Sequence, residues 1–276
     1  MMNRAGAALL ALLCLSPCPA WAGPTLAWST YFGGSGTDHV YGIATAADGG
    51  LIIVGSTESD GMATPGAFQT TRGRRAGYVA KLSADGQEKL WFTYVDGAGE
   101  DYVNDVAVDA EGRILIVGTT ESANLPVVNA LQDHLAGGSS AFVGRLSADG
   151  SSFDWLTYLG GSGGELGEAI AVDGHGPVVA GRANSTDFPL VAPFQEQRDD
   201  SVGSVGDIFV ARVAADGSEL LFSTYLGGDQ HDEVGGLAVG PDGSVVVGGR
   251  TNSTDWPAVA PLGEQCVFPD CVTTMF

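Results

Sequence analysis

LLFSTYLGG (220–228) is one of four versions of a single string. LAWSTYFGG (26–34), KLWFTYVDG (89–97) and FDWLTYLGG (153–161) also carry an aromatic or bulky residue and then Thr-Tyr. Three of the four close on Gly-Gly. The Thr-Tyr pairs stand at 30–31, 93–94, 157–158 and 224–225, which sets the period at 63, 64 and 67 residues. A fixed period of this size marks a tandem array of supersecondary units. Arrays of this kind usually present a binding surface, which is the first expectation of function.

The stretches between these strings read as strands. YGIATAADG (41–49), NDVAVDAEG (104–112), EAIAVDGHG (168–176) and GGLAVGPDG (235–243) alternate small and β-branched residues and then meet a turn. LIIVGSTES (51–59), ILIVGTTES (114–122), VVAGRANS (178–185) and VVVGGRTNS (245–253) follow, each before a polar loop with a proline. YVAKLSADG (78–86), FVGRLSADG (142–150) and FVARVAADG (209–217) end on one shared Ala-Asp-Gly turn that leads back to Thr-Tyr. Short runs of Val, Ile, Thr, Tyr and Phe bounded by Gly, Asp and Asn are strands joined by tight turns. No stretch of 23–276 sustains helical spacing. The prediction is an all-β chain, a β-propeller of four-stranded antiparallel blades. About four repeats are expected, in units of about 26–88, 89–152, 153–219 and 220–276, the last blade incomplete. Phe276 aligns with the start of that blade's third strand. If the alanine-rich run is innermost, the Thr-Tyr string is outermost, and Thr25 to Phe32 is free to complete the last blade. A partial array is the preferred reading.

Five linked motifs then resemble a known family. They are S-T-Y-L-G-G (Ser223 to Gly228), A-I-A-V-D (Ala169 to Asp173), V-G-x-T-x-S (Val117 to Ser122), S-T-D-F-P (Ser185 to Pro189) and F-V-A-R-V (Phe209 to Val213). In this order they resemble the bacterial SBBP-type β-propeller repeat over nearly all of 26–257. The resemblance implies an exported or surface-associated propeller and supplies no catalytic residue to carry over.

Residues 1–22 read as a signal peptide. Arg4 is followed by an apolar run from Ala5 to Leu15 and by Ala20-Trp21-Ala22, an A-x-A cleavage site. The run is too short to span a membrane, which takes about 20 apolar residues. The mature array is then 23–276, placed outside the cytoplasm as a secreted, periplasmic or cell-surface protein. Cys266 and Cys271 remain, and their spacing in an oxidising compartment suggests a local disulfide. The net charge of −21 becomes 11 − 33 = −22 without Arg4, which should repel nucleic acid and anionic lipid.

The candidate chemistry is sparse. Gly160 to Gly164 matches G-x-S-x-G, yet it is a repeat turn whose equivalents of Ser162 are Ser35, Ala98 and Asp229. His39 and His231 fall in similar turns beside acids, and a metal there is weighed against scattered surface histidines. His134 is isolated, and His175 reads as a turn residue. Asn184 and Asn252 head formal glycosylation sequons at equivalent turn positions, and the structural reading is preferred. Arg72, Arg74 and Arg75 read as a solvated basic loop. Trp28, Trp91 and Trp155 recur at one position, which favours packing between blades over a sugar platform. The strongest candidate is a repeated acid seven residues beyond each Tyr: Asp38, Asp101, Glu165 and Asp232. A ring of such carboxylates would suit Ca²⁺, and the competing reading is that each acid caps its own glycine-rich turn. The expectation is a non-enzymatic scaffold with no required cofactor, facing a protein or surface-glycan partner. The alternatives are a carbohydrate-binding adhesion module and a propeller enzyme of lactonase or quinoprotein type.

Overall fold

A computed structural model describes residues 8–10, 26–198, 206–258 and 274–275. Most of the expected signal peptide, and both Cys266 and Cys271, lie outside the described residues. All seventeen elements among the described residues are strands. β1 (Ala8–Leu10) pairs antiparallel with β2 (Thr30–Phe32).

Three four-stranded antiparallel sheets follow, each in simple chain order. Blade 1 holds β3 (Asp38–Thr45), β4 (Leu51–Thr57), β5 (Ala76–Leu82) and β6 (Lys89–Val95). Blade 2 holds β7 (Asp101–Val108), β8 (Ile114–Thr120), β9 (Ser140–Leu146) and β10 (Phe153–Leu159). Blade 3 holds β11 (Glu165–Asp173), β12 (Gly176–Ala183), β13 (Asp207–Val213) and β14 (Leu220–Leu226). A three-stranded sheet completes the series with β15 (Asp232–Val239), β16 (Val245–Thr251) and β17 (Thr274–Met275). The Thr-Tyr strand ends a blade, and the alanine-rich strand begins one.

The first strands of successive blades touch, β3 on β7, β7 on β11 and β11 on β15, so the alanine-rich strand is innermost. Small side chains fit there because the blades converge. Each of these strands carries a bulge at one place, between Val40 and Gly42, Val103 and Asp105, Gly167 and Ala169, and Val234 and Gly236. A bulge adds local twist, and its fourfold recurrence shows one backbone form repeated.

The core lies between blades. Ile52, Val54 and Val79 of blade 1 meet Val103, Val106, Ile116 and Phe142 of blade 2. Leu115, Val117 and Val143 meet Ile170, Val179 and Phe209 at the next junction, and Val178, Ala180 and Val210 meet Leu237 and Val247 at the third. Each fully buried side chain of this kind stabilises by about 1.5–3 kcal/mol. The free face of blade 1 is covered by Phe32, which stacks on Phe92 at 6.2 Å. β2 therefore lies against blade 1 with β1 as its partner and does not complete the last sheet. Its aromatic ring finds apolar cover on Tyr78 and Phe92, which decides the placement.

Candidate functional site

The repeated acid opens each innermost strand and is buried in every blade, at 5% exposure for Asp38 and 0% for Asp101, Glu165 and Asp232. Its partners come from its own blade. Asp101 accepts from Thr120 Oγ1, from Ser122 Oγ at 2.7 Å and from the Gly97 backbone N–H at 2.8 Å. Asp38 accepts from Thr57 Oγ1, Ser59 Oγ at 2.9 Å and Gly34 N–H at 2.8 Å. Glu165 accepts from Ser185 Oγ, Ser185 N–H at 3.1 Å and Gly161 N–H at 2.8 Å. Asp232 accepts from Ser253 Oγ at 3.0 Å and Gly228 N–H at 3.0 Å. The glutamate of blade 3 has one more methylene, and Ala183 stands where the other blades have the threonine. Burial pushes Glu165 and Asp232 above the usual carboxylate range, opposed by these donors.

The tyrosine of Thr-Tyr closes the same assembly. Tyr158 Oη donates to Ser122 O at 2.6 Å and accepts from Leu125 N–H at 2.9 Å. Tyr94 and Tyr225 make the matching bonds to Ser59 and Met62 and to Ser185 and Phe188. The threonine accepts from a loop glutamine: Gln69 N–H on Thr93, Gln132 N–H on Thr157 and Gln195 N–H on Thr224, at 2.9–3.0 Å. The amide oxygen of that glutamine takes the N–H of Asp96, Gly160 or Gly227 at 3.1 Å. Sequence reading missed this glutamine. Its signal was an aromatic or leucine followed by Gln at 68–69, 131–132 and 194–195, hidden by a loop of unequal length.

Each of the four acids is bonded within its own repeat. Among the described residues no group of three or more His, Cys, Asp or Glu is placed to hold a metal ion. His39 stacks on Tyr41 at 5.7 Å, and His231 Nε2 meets Glu233 Oε1 at 2.6 Å. Ser162 Oγ donates to Asp187 Oδ1 at 3.1 Å in a turn. The basic loop is not simply solvated. Arg75 donates to Glu58 and to Tyr102 Oη at 3.2 Å, because the loop lies across the junction of blades 1 and 2. Arg74 alone of the three projects, at 79% side-chain exposure. The three tryptophans pack on the next blade: a Cβ added at Gly86, Gly150 or Gly217 would strike Trp28, Trp91 or Trp155.

At the other end of the inner strands lies a pocket of about 310 Å³ between blades 2 and 3. Val108, Leu115 and Val172 give it an apolar floor, and Arg113, Arg145 and Asp173 give it charge. Arg113 is held by Asp109 at 2.7 Å and by Glu111 at 2.7 Å. Arg145 is held by Asp154 at 2.8 Å and donates to Ala215 O. Asp173 Oδ1 accepts from Arg212 at 2.6 Å, while its buried Oδ2 has no hydrogen-bond donor.

Residues 90–126 match the family described as the SBBP beta-propeller repeat. The matched stretch holds Thr93, Tyr94, Asp101, Thr120 and Ser122, the residues that lock the Gly-rich turn. No curated protein matches the sequence. Similar solved structures include a protein of unknown function from Dyadobacter fermentans DSM 18053, at 14% identity, 84% coverage of this chain, 61% of that one and a TM-score of 0.45. The chain thus spans less than two thirds of that protein. A thermostable family-43 glycoside hydrolase is similar at 13% identity, 84% and 73% coverage and a TM-score of 0.44. A glucose dehydrogenase is similar at 14% identity, 80% and 82% coverage and a TM-score of 0.34. The expectation that the chain is not an enzyme is therefore withdrawn: enzymes stand among the similar structures, and a propeller fold alone does not settle catalysis.

Proposed function

We propose that the chain is an exported propeller that recognises a small, neutral or cationic, hydroxyl-rich ligand in the pocket between blades 2 and 3. The observation that carries the reading is the pocket's composition. Paired guanidinium and carboxylate groups stand over an apolar floor, an arrangement that offers both donors and acceptors to ligand hydroxyls. The acidic surface disfavours anionic ligands. A surface glycan is the partner class that fits this chemistry. Export rests on Arg4, the apolar run and Ala20-Trp21-Ala22.

The pocket can be filled without disturbing the backbone. A Cβ at Gly174 meets nothing within 4 Å, so Gly174→Trp should fold normally and occupy the pocket mouth. In a thermal-shift screen with neutral oligosaccharides and polyamines, the wild-type protein should show a stabilising hit that Gly174→Trp abolishes. Hits that persist in Gly174→Trp would place binding elsewhere.

A further inference from the structure

The turn after each Thr-Tyr strand begins with Gly33, Gly160 or Gly227 in three repeats and with Asp96 in the other. This position points at the blade's buried acid. A Cβ built at Gly33 would stand 2.6 Å from Asp38 Oδ2, one at Gly227 would stand 2.8 Å from Asp232 Oδ2, and one at Gly160 would strike Glu165 Oε2. In the remaining repeat the residue there is itself acidic, so two carboxyls meet. Asp96 is 2% exposed and Asp101 is 0% exposed.

The donors around the two are unequal. Asp101 receives the hydroxyls of Thr120 and Ser122 and the N–H of Gly97. Asp96 Oδ2 receives the N–H of Gly73, while Asp96 Oδ1 is buried with no donor. The Asp96 backbone is held on both sides by the Gln69 amide, at 3.1 Å each. Two adjoining carboxyls at a buried site cannot both ionise unless a proton or a cation stands between them. We propose that Asp96 and Asp101 share one proton, carried on Asp96 Oδ1 and directed at Asp101.

The charged groups that face Asp96 are Asp101 at the start of β7 and Arg72 from the loop. Burial pushes Asp96 up to about 7, and Asp101 adds to the rise, while the Gly73 N–H and Arg72 oppose it. The folded value lies above the unfolded one, so the folded state holds the proton more tightly. This contribution is complete below about pH 4, is lost as pH rises towards about 7, and is constant beyond.

The test is thermal and urea denaturation of the full chain near pH 5 and near pH 8, for wild type, Asp96→Asn and Asp96→Gly. Other buried carboxyls titrate in all three proteins, so the difference between proteins isolates Asp96. The wild-type folding constant should drop by about a hundredfold more than that of either variant, two pH units of one-proton linkage. Asp96→Gly restores the residue of the other repeats. Should a variant fail to fold, carbon-detected titration of the Asp96 carboxyl in the wild type gives the answer directly, with a midpoint near neutrality expected. Parallel pH curves, or a midpoint near 4, would overturn the proposal. So would restoration of the wild-type melting temperature near pH 8 by Ca²⁺, Na⁺ or K⁺, which would replace the proton with a cation.

Discussion

At the residue scale, the repeated acid explains why Asp38, Asp101, Glu165 and Asp232 recur while their neighbours drift. Each satisfies the donors of its own Gly-rich turn, which would otherwise be buried without partners. Removing Asp101 would strand the Gly97 N–H and the Thr120 and Ser122 hydroxyls. Asp101→Ala should therefore lower stability by about 3 kcal/mol or more in urea titration, since each buried unpaired group costs about 1–3 kcal/mol. Because those oxygens are already engaged, millimolar Ca²⁺ should leave the melting temperature of the wild type unchanged. A Ca²⁺-dependent rise that Asp101→Ala abolishes would favour the cation reading instead.

At the scale of the element, the Ala-Asp-Gly turn does two jobs at once. Gly150 has φ +71°, a region that L side chains rarely adopt, and Trp91 of the preceding blade's outer strand lies on it. The turn thus registers one blade against the next. Gly112 has a similar φ of +80° with open space around its Cα, which makes it a control. Gly112→Ala should cost about 1 kcal/mol of backbone strain. Gly150→Val adds a clash with the Trp91 ring and should cost about twice that or more. Equal losses in urea titration would show that the tryptophan contact contributes nothing.

At the scale of the molecule, hydrophobic burial between blades holds the array together, and each junction uses the same positions. Cleavage after Ala22 would remove β1 and leave β2 anchored by Phe32 on blade 1. N-terminal sequencing of protein recovered from the extracytoplasmic fraction should begin at Gly23. Recovery of Met1 on an abundant cytosolic form would refute export. The pH linkage of Asp96 and the pocket between blades 2 and 3 belong to different junctions, so a failure of one leaves the other standing.

The strand order, the repeat and the position of the acid were legible in the sequence. All three depend on local period: alternation within a strand, glycine at positive φ, and an acid at constant distance from Tyr94 or Tyr158. The recurring tryptophan was also legible as packing, because repetition at one position implies one repeated contact. Other features depend on which blades touch. Asp96 stands out only when the glycines at 33, 160 and 227 are seen to face an acid. Gln132 gains its role only when a loop of variable length folds back on Thr157. The pocket is made of turns more than 60 residues apart, Asp109 to Arg113 and Asp173 to Pro177, which no spacing within one unit records. By itself the sequence determined what each blade is, since strand, turn and cap are set by neighbours in the chain. Only the tertiary structure decided what the junctions between blades can do, because their chemistry is assembled from residues a full repeat apart.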